Sequence, residues 1–248
     1  MPASSFASRA TASRSVRLFR EFRHEQTEPD RFYQALADDT AAMIADLHSE
    51  PLTDAAVLDV GGGPGFFADA FTDRGARYLS VEPDAGEMHA AGIDHRTAVR
   101  AQGQHLPFAT GSVDVCYSSN VAEHTDRPWE MADEMVRVTC PGGTIVLSYT
   151  LWWGPFGGHE MGLTHYVGGH RAARWYTRRH GHPPKNLYGE SLFPITAAAG
   201  LRWARNAEHA ELQAAFPRYL PRWAWPVVRI PVAREVGATN LVLVLRRV

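Results

Sequence analysis

Four sets of residues in this sequence have the types and spacing to do chemistry. The first is Val57-Leu58-Asp59-Val60-Gly61-Gly62-Gly63-Pro64-Gly65, an acidic residue inside an apolar run followed by four glycines within five positions. Glycine leaves backbone amides open to a ligand and reaches the φ > 0 conformations that tight turns need. The second is Glu82, 23 positions after Asp59, a carboxylate able to accept two hydrogen bonds from a ribose 2′,3′-diol. The third pairs Gln102-Gly103-Gln104-His105-Leu106-Pro107-Phe108 with Ser118-Ser119-Asn120-Val121-Ala122-Glu123-His124. The fourth is Gly157-Gly158-His159-Glu160-Met161-Gly162-Leu163-Thr164-His165. Its imidazoles, like that of His124, titrate near neutrality and suit proton transfer.

These residues need a scaffold, and the pattern around them supplies one. Val57 to Val60 reads as a buried parallel strand, and Phe66 onward starts a helical pattern that ends at Gly75. Strand, glycine turn and helix make the first unit of a doubly wound sheet, whose ligand lies at the carboxyl end of the strand. Further strands fit 77–81, 97–100, 113–118 and 144–149, with helices over 85–91 and 128–138 between them. Such alternation with short loops predicts a parallel sheet carrying helices on both faces. Upstream, 30–48 has apolar residues at helical spacing, with Asp30 as an expected N-cap, and residues 1–22 read as a frayed or capping terminus. Downstream the rhythm breaks: 151–192 is rich in Gly, His, Trp and Pro, as a substrate lid would be. A helix over 195–204, a strand over 209–216 and a terminal strand over 240–245 complete the chain around a second insertion at 217–236. The whole of 1–248 is therefore expected to be one domain: a cap over 1–52, a core over 53–150, an insertion over 151–192 and a sheet-completing segment over 193–248.

Composition narrows the function class. Cys116 and Cys140 both fall in or beside expected strands, so no disulfide framework is indicated and a cytoplasmic location is the simple expectation. No apolar run reaches the roughly 20 residues of a spanning helix, and the arginine- and serine-bearing start lacks the apolar core of a secretory signal. The charge is lopsided. Residues 1–150 hold 12 arginines against 22 acidic residues, whereas 151–248 hold 13 basic against 5 acidic residues and six of the seven tryptophans. A basic, aromatic half suits an anionic partner or a membrane face, and equally a solvated surface.

Two registers fit the glycine turn. The dinucleotide pattern G-x-G-x-x-G/A can be laid on Gly63 to Ala68, but such lone matches are weak. The register Asp59-x-Gly61-x-Gly63-x-Gly65 is better, and with Glu82, the 102–114 and 118–124 stretches and Pro141-Gly142-Gly143 it resembles class I S-adenosylmethionine-dependent methyltransferases of the small-molecule (type 11) kind. Within that kind it looks similar to uncharacterised actinobacterial members associated with the cell envelope. The resemblance implies a Rossmann-like, seven-stranded, doubly wound sheet, mostly parallel with an antiparallel terminal strand. It implies S-adenosylmethionine (SAM) as cofactor, leaving as S-adenosylhomocysteine. By resemblance Gly61, Gly62, Gly63 and Gly65, with Asp59, form the methionine-side wall, Glu82 and Pro83 hold the ribose, Gln102, Gly103 and Gln104 meet the adenine, and Asn120 and Val121 lie near the sulfonium. Tyr33, from a helix that often covers the cofactor in this family, is added. One departure stands out: the family often has Asp where this chain has Gln102.

In-line methyl transfer is largely a problem of positioning, which can be worth about 7–11 kcal/mol. An alcohol or phenol acceptor must also lose a proton, and His124, His159, Glu160 and His165 are the candidates to manage it. His159-Glu160 followed by His165 is not the H-E-x-x-H zinc motif, and no metal is expected. The expected acceptor is a hydroxyl of a lipid, glycolipid or other small apolar molecule, with peripheral membrane contact through 217–232. There Trp223, Trp225 and three arginines are interleaved with prolines and aliphatics. The Asp/Asn-Pro-Pro-aromatic signature of enzymes methylating exocyclic base amines is absent after the fourth strand, which counts against nucleic acid. Three other readings share parts of the pattern: an RNA methyltransferase using the basic half, an NAD-dependent oxidoreductase, and a non-catalytic SAM-binding envelope-interaction protein.

Overall fold

The computed structural model describes residues 2–24, 27–89 and 97–248. Its centre is one sheet whose seven described strands are β1 (Ala56–Val60), β2 (Arg77–Val81), β3 (Ala98–Val99), β4 (Val113–Ser119), β5 (Thr139–Thr150), β6 (Ala210–Pro217) and β7 (Asn240–Arg247). They lie in the order β3-β2-β1-β4-β5-β7-β6. The first five are parallel, and β7 runs antiparallel to both of its neighbours. The order reverses between β1 and β4, which opens a crevice at their carboxyl ends.

Both faces of the sheet are buried, and the side chains divide with the two-residue period of a strand. Val57, Val115, Tyr117 and Val146 point to one face, where they meet Ile44, Met43 and Leu47 of helix α3 (Pro29–Leu47) and Phe71 of α4 (Ala68–Thr72). Leu58, Cys116, Ile145 and Leu147 point to the other. They pack on Met131, Met135 and Val136 of α6 (Pro128–Val138) and Leu201 of α8 (Ala197–Asn206). Between α4 and α6 runs α5 (Ala85–His89), and the expected end of that helix at 90–91 lies outside the described residues.

The start of the chain is more ordered than its sequence suggests. Helices α1 (Pro2–Arg9) and α2 (Ala12–Phe22) pack on α3. Phe6 is fully buried against Phe216 and Trp225. Arg14 forks onto the Asp39 carboxylate at 2.7 and 2.6 Å, and its third nitrogen donates to the carbonyl of Arg218 at 3.0 Å. A bidentate guanidinium-carboxylate pair with its remaining donor satisfied is the form in which buried charge is tolerated. The described residues 2–22 are thus packed helices and not a frayed end. Asp30 is not the N-cap of α3 either: Glu28 holds that position, without a side-chain cap bond, because Pro29 takes the first helical place that needs no N–H.

The two insertions carry short helices. In 151–192 a 3₁₀ segment over His159–Val167 leads to α7 (Gly169–His180), and in 217–236 a 3₁₀ segment over Arg222–Arg229 precedes α9 (Ala233–Val236). No described helix is long and apolar enough to cross a membrane.

Candidate active site

The carboxyl ends of β1, β2 and β4 open into a cleft of about 2270 Å³. At the end of β1, Gly61 and Gly62 both donate their amides to the Val81 carbonyl, at 2.8 and 3.2 Å. Gly61 has φ +84°, and a Cβ there would sit 2.4 Å from a methyl of Val121. Gly63 has φ +52° with nothing within 4 Å of where its Cβ would be. A side chain at 61 would break the turn, and one at 63 would stand in the open cleft, so the loop is a cradle kept bare for a ligand. Helix α4 starts two residues later than its pattern suggests because Gly65 and Ala68 close successive turns onto Gly62 and Gly65, at 3.1 Å each.

Glu82 faces this loop from the end of β2. Its Oε2 accepts from the Gly63 amide at 3.2 Å and its Oε1 from the Asp84 amide at 3.1 Å. Each carboxylate oxygen has a second lone pair, so the group is oriented and still able to receive a diol. Burial pushes its pKa up, and the two backbone amides work against that rise. Pro83 lines the cleft next to it.

Asp59 lies beneath the loop, not in the cleft. It is 3% exposed, and its Oδ2 accepts from Tyr78 at 2.7 Å and from Tyr117 at 2.5 Å. A Cβ on Gly62 would approach that carboxylate to 3.3 Å. Burial raises the Asp59 pKa to about 7, against the two tyrosine hydrogen bonds. The acidic residue of the motif therefore props the turn from below. Gly65 is likewise outside the lining of the cleft.

The 102–108 loop forms the next wall. Gly103 lies so close to α6 that a Cβ would meet Met131 at 2.7 Å. The loop is fastened to that helix by Glu134, which accepts from the Leu106 amide at 2.9 Å. Arg137 adds bonds to the carbonyls of Phe108 and Leu106 at 2.9 and 3.0 Å. Gln104 donates to the Thr125 hydroxyl, and both Gln102 and Gln104 line the cleft. Asn120, just past β4, has φ +59°, a left-handed conformation that asparagine tolerates better than most residues. Its Oδ1 accepts from Asn240 at 2.6 Å, and Asn240 in turn accepts from Ser148 at 2.7 Å. Val121 packs over Gly61, and Tyr33 stacks on Phe66 with ring centroids 5.0 Å apart. All three line the cleft.

Of the four candidates for proton management, the structure brings two together. His124 and His159 meet edge to face with centroids 5.0 Å apart, and both line the cleft. Burial, followed by the neighbouring His124, lowers the His159 pKa and keeps that ring neutral. Glu160 also borders the cleft, but its two oxygens are taken by the backbone and side-chain amides of Asn186, at 2.7 and 2.9 Å. It fastens the 181–192 segment. Burial raises its pKa and the stronger combined pull of the Asn186 hydrogen bonds brings it below the ordinary value. His165 does not reach the cleft. It is fully buried, packs on Trp152 at 5.2 Å and binds the Gly162 carbonyl at 2.7 Å, because the 3₁₀ turn at 159–167 carries it to the inner side of the segment.

Two contributors went unnoticed in the sequence. Glu123 is buried at 1% exposure beside His124, with Oε1 accepting from the Thr150 amide at 3.0 Å. Its adjacency to His124 was the available signal. Arg218 is fully buried and donates to the hydroxyls of Ser119 at 2.6 Å and Thr40 at 2.5 Å, tying β4 to α3. Nothing local marks an arginine in a Pro- and Arg-rich insertion for burial.

The comparisons with known proteins agree with this geometry. Residues 58–147, from β1 to β5, match the family described as "Methyltransferase domain". The chain is 62% identical over 249 residues to an "Uncharacterized methyltransferase" of Mycolicibacterium paratuberculosis, covering 97% of each chain. It belongs to this methyltransferase family. A second relative, from Mycobacterium tuberculosis, is 61% identical with the same coverage. Among solved structures, the methyltransferase has the fold of an S-adenosylmethionine-dependent methyltransferase from Mesorhizobium loti. That match has a TM-score of 0.55 and 17% identity, over 85% of this chain and 100% of the other. It also has the fold of the geranyl diphosphate C-methyltransferase from Streptomyces coelicolor A3(2), with TM-score 0.54 and 16% identity over 84% and 78% of the chains. The cofactor of the methyltransferase is S-adenosylmethionine, and the bare cradle at Gly63 with Glu82 above it fits that group.

Proposed function

We propose that this methyltransferase places a methyl group on a hydroxyl of an apolar or amphipathic acceptor: a lipid, a glycolipid or a small molecule of similar character. The observation that carries this reading is the aromatic and aliphatic part of the cleft lining. Phe19 and Phe22 of α2, Phe32 and Leu36 of α3, Phe156 of the first insertion and Leu220 of the second all line it. Phe22 bridges the two sides, with centroids 5.9 Å from Phe32 and 5.0 Å from Phe156. Binding sites for small ligands combine such apolar lining with a few convergent polar groups, and here Asn120, Glu123, His124 and His159 are those groups.

When bound, S-adenosylmethionine supplies an electrophilic methyl on a sulfur that leaves neutral, so no acid is required. The protein has to hold and align. The bare 61–63 turn and the free lone pairs of Glu82 would hold the nucleoside-methionine side, and Gln102 and Gln104 would border the base. Asn120, fixed by the Asn240–Ser148 relay, sets the floor between cofactor and acceptor. The aromatic wall excludes water from the apolar part of the acceptor. Glu123, His124 and His159 stand where the acceptor's hydroxyl would shed its proton.

The same reading extends to the membrane. Trp223, Val232 and Ile230 are 78%, 73% and 55% exposed beside Arg222 and Arg229, a combination suited to the interface of an anionic bilayer. A peripheral position on the cytoplasmic face would bring a lipid-linked acceptor to the cleft. Incubating the full-length protein with tritiated-methyl S-adenosylmethionine and total lipid, small-metabolite and RNA fractions tests the acceptor class. Label in hydroxyl-bearing lipids or apolar alcohols is expected, and label confined to RNA would overturn the reading.

A further inference from the structure

We propose that Glu123, His124 and His159 form a binding site for one divalent transition-metal ion, of which zinc is the type, on the acceptor wall of the cleft. One donor atom from each of the three lies within 4.8 Å of the other two. Donors of a single tetrahedral zinc ion stand about 3.3 Å apart at Zn–N and Zn–O distances of about 2.0–2.2 Å, so small rotations of the two imidazoles close the set. Two imidazoles with one carboxylate and open positions beside them make a donor set suited to zinc, iron or cobalt, not to magnesium or calcium.

The hydrogen bonds around the cluster leave the needed lone pairs free. His124 Nδ1 lies 2.7 Å from the Ser191 carbonyl, which can only accept, so Nδ1 carries the proton and Nε2 keeps its lone pair. His159 Nδ1 leans on the Gly157 carbonyl at 3.4 Å in the same sense. A backbone carbonyl behind each ring is the outer support that orients metal-binding histidines. An independent observation comes from Glu123. Its Oε1 is held by the Thr150 amide, while Oε2, buried from solvent, receives no hydrogen bond from any described residue. A bare buried carboxylate oxygen is costly unless a positive charge meets it. His159 is also one of five described non-glycine residues with positive φ, at +48°, a strained backbone that serves to hold its ring at this spot.

The inference deepens the acceptor reading and rests on it for its role, though not for its occupancy. With three protein donors the ion keeps open coordination for an oxygen of the acceptor. A hydroxyl bound there is acidified by several pK units, as metal-bound water is. Its proton passes to bulk water through the open mouth of the cleft, and its negative charge stays on the oxygen beside the ion.

Full-length protein stripped with EDTA and dialysed can be titrated with Co²⁺ and followed by its visible d–d absorption, with Zn²⁺ as competitor. One Co²⁺ per chain is expected, with a Kd on the order of 10 µM or tighter and displaced by Zn²⁺. Glu123→Gln, which keeps the oxygen facing Thr150, and His124→Ala and His159→Ala should each weaken binding at least about thirtyfold. Binding of S-adenosylhomocysteine, read by calorimetry, should stay within about threefold, showing that the variants fold. His209→Asn, at a φ of +61° that asparagine tolerates, just before the edge strand β6 and outside the cleft lining, should leave Co²⁺ binding intact. On wild-type protein, Zn²⁺ should also protect His124 and His159 but not His209 from diethylpyrocarbonate, mapped by mass spectrometry. No stoichiometric Co²⁺ spectrum in the wild type, or binding untouched by all three substitutions, would overturn the site. Metal binding without methylation of any lipid alcohol retains the site and removes the acceptor reading. Methylation of such alcohols unchanged after complete metal removal retains the acceptor reading and removes the site's proposed role.

Discussion

On the side of the glycine loop, the cleft is walled by backbone: the 61–63 turn, the amides that orient Glu82, and a 102–108 loop pressed onto α6 at Gly103. On the side proposed for the acceptor it is walled by side chains from segments far apart in sequence: Phe22, Phe32, His124, Phe156, His159 and Leu220. A backbone wall depends on which residues are glycine and on local turn geometry, so it leaves a compact trace in sequence. A side-chain wall can be rebuilt from many residue types at many positions, and its trace is diffuse. On the proposed reading, one wall would serve a common cofactor, while the other is free to take the shape of a particular acceptor.

The contrast makes predictions of descending size. Gly61→Ala should be the most damaging, since it combines the left-handed φ with a Cβ driven into Val121. We expect a loss of at least about a hundredfold in S-adenosylhomocysteine affinity by calorimetry, with a lowered urea midpoint. Wild-type affinity in this variant would show that the turn is not the cofactor wall. Glu82→Gln keeps the size of the side chain but weakens two acceptors. It should cost about 10–30-fold in the same titration and leave the unfolding midpoint nearly unchanged.

Asp59 lies under the backbone wall and should affect stability through pH. Burial raises its pKa from 3.8 to about 7, so the folded chain keeps a proton that the unfolded chain sheds above about pH 4. Its contribution is fully present below the unfolded value and is lost as pH rises through 7. Between pH 6 and pH 8 the wild type should therefore lose about 1.4 kcal/mol that Asp59→Asn does not, measured as the difference of their urea unfolding free energies. Equal slopes for the two proteins would sink this account of the buried carboxyl. The smallest effect is expected at the exposed edge of the acceptor side. Trp223→Ala should weaken sedimentation with anionic vesicles by about three- to tenfold and leave thermal unfolding unchanged, and an unaltered, salt-insensitive sedimentation would remove the membrane contact.

Several elements could be read directly from the chain. The strand-turn-helix at 56–72, the Glu82 position and the alternation through β5 follow from apolar periodicity and glycine placement. Other features could not. Helix α4 begins late because a series of glycine-closed turns precedes it, and α1 and α2 are ordered by burial of Phe6 and the Arg14–Asp39 pair across 25 residues. Trp223 and Trp225 looked alike in sequence. The fold stacks Trp225 on Phe216 at 4.5 Å and leaves Trp223 in solvent. His159 and His165, six residues apart, were separated in the same way. A 3₁₀ turn places one in the cleft and the other under Trp152.

By itself the sequence determined the glycine-loop wall, because a bare backbone turn needs specific glycines at specific spacing and a carboxylate at the end of the next strand to meet it. Those constraints are local and leave few alternatives. Only the tertiary structure decided the side-chain wall proposed for the acceptor. The meeting of Glu123 and His124 with His159, the aromatic lining shared by four segments, and the burial of Arg218 depend on how distant elements pack. Packing forces are non-directional and satisfied by many sequences, so no short motif could announce them.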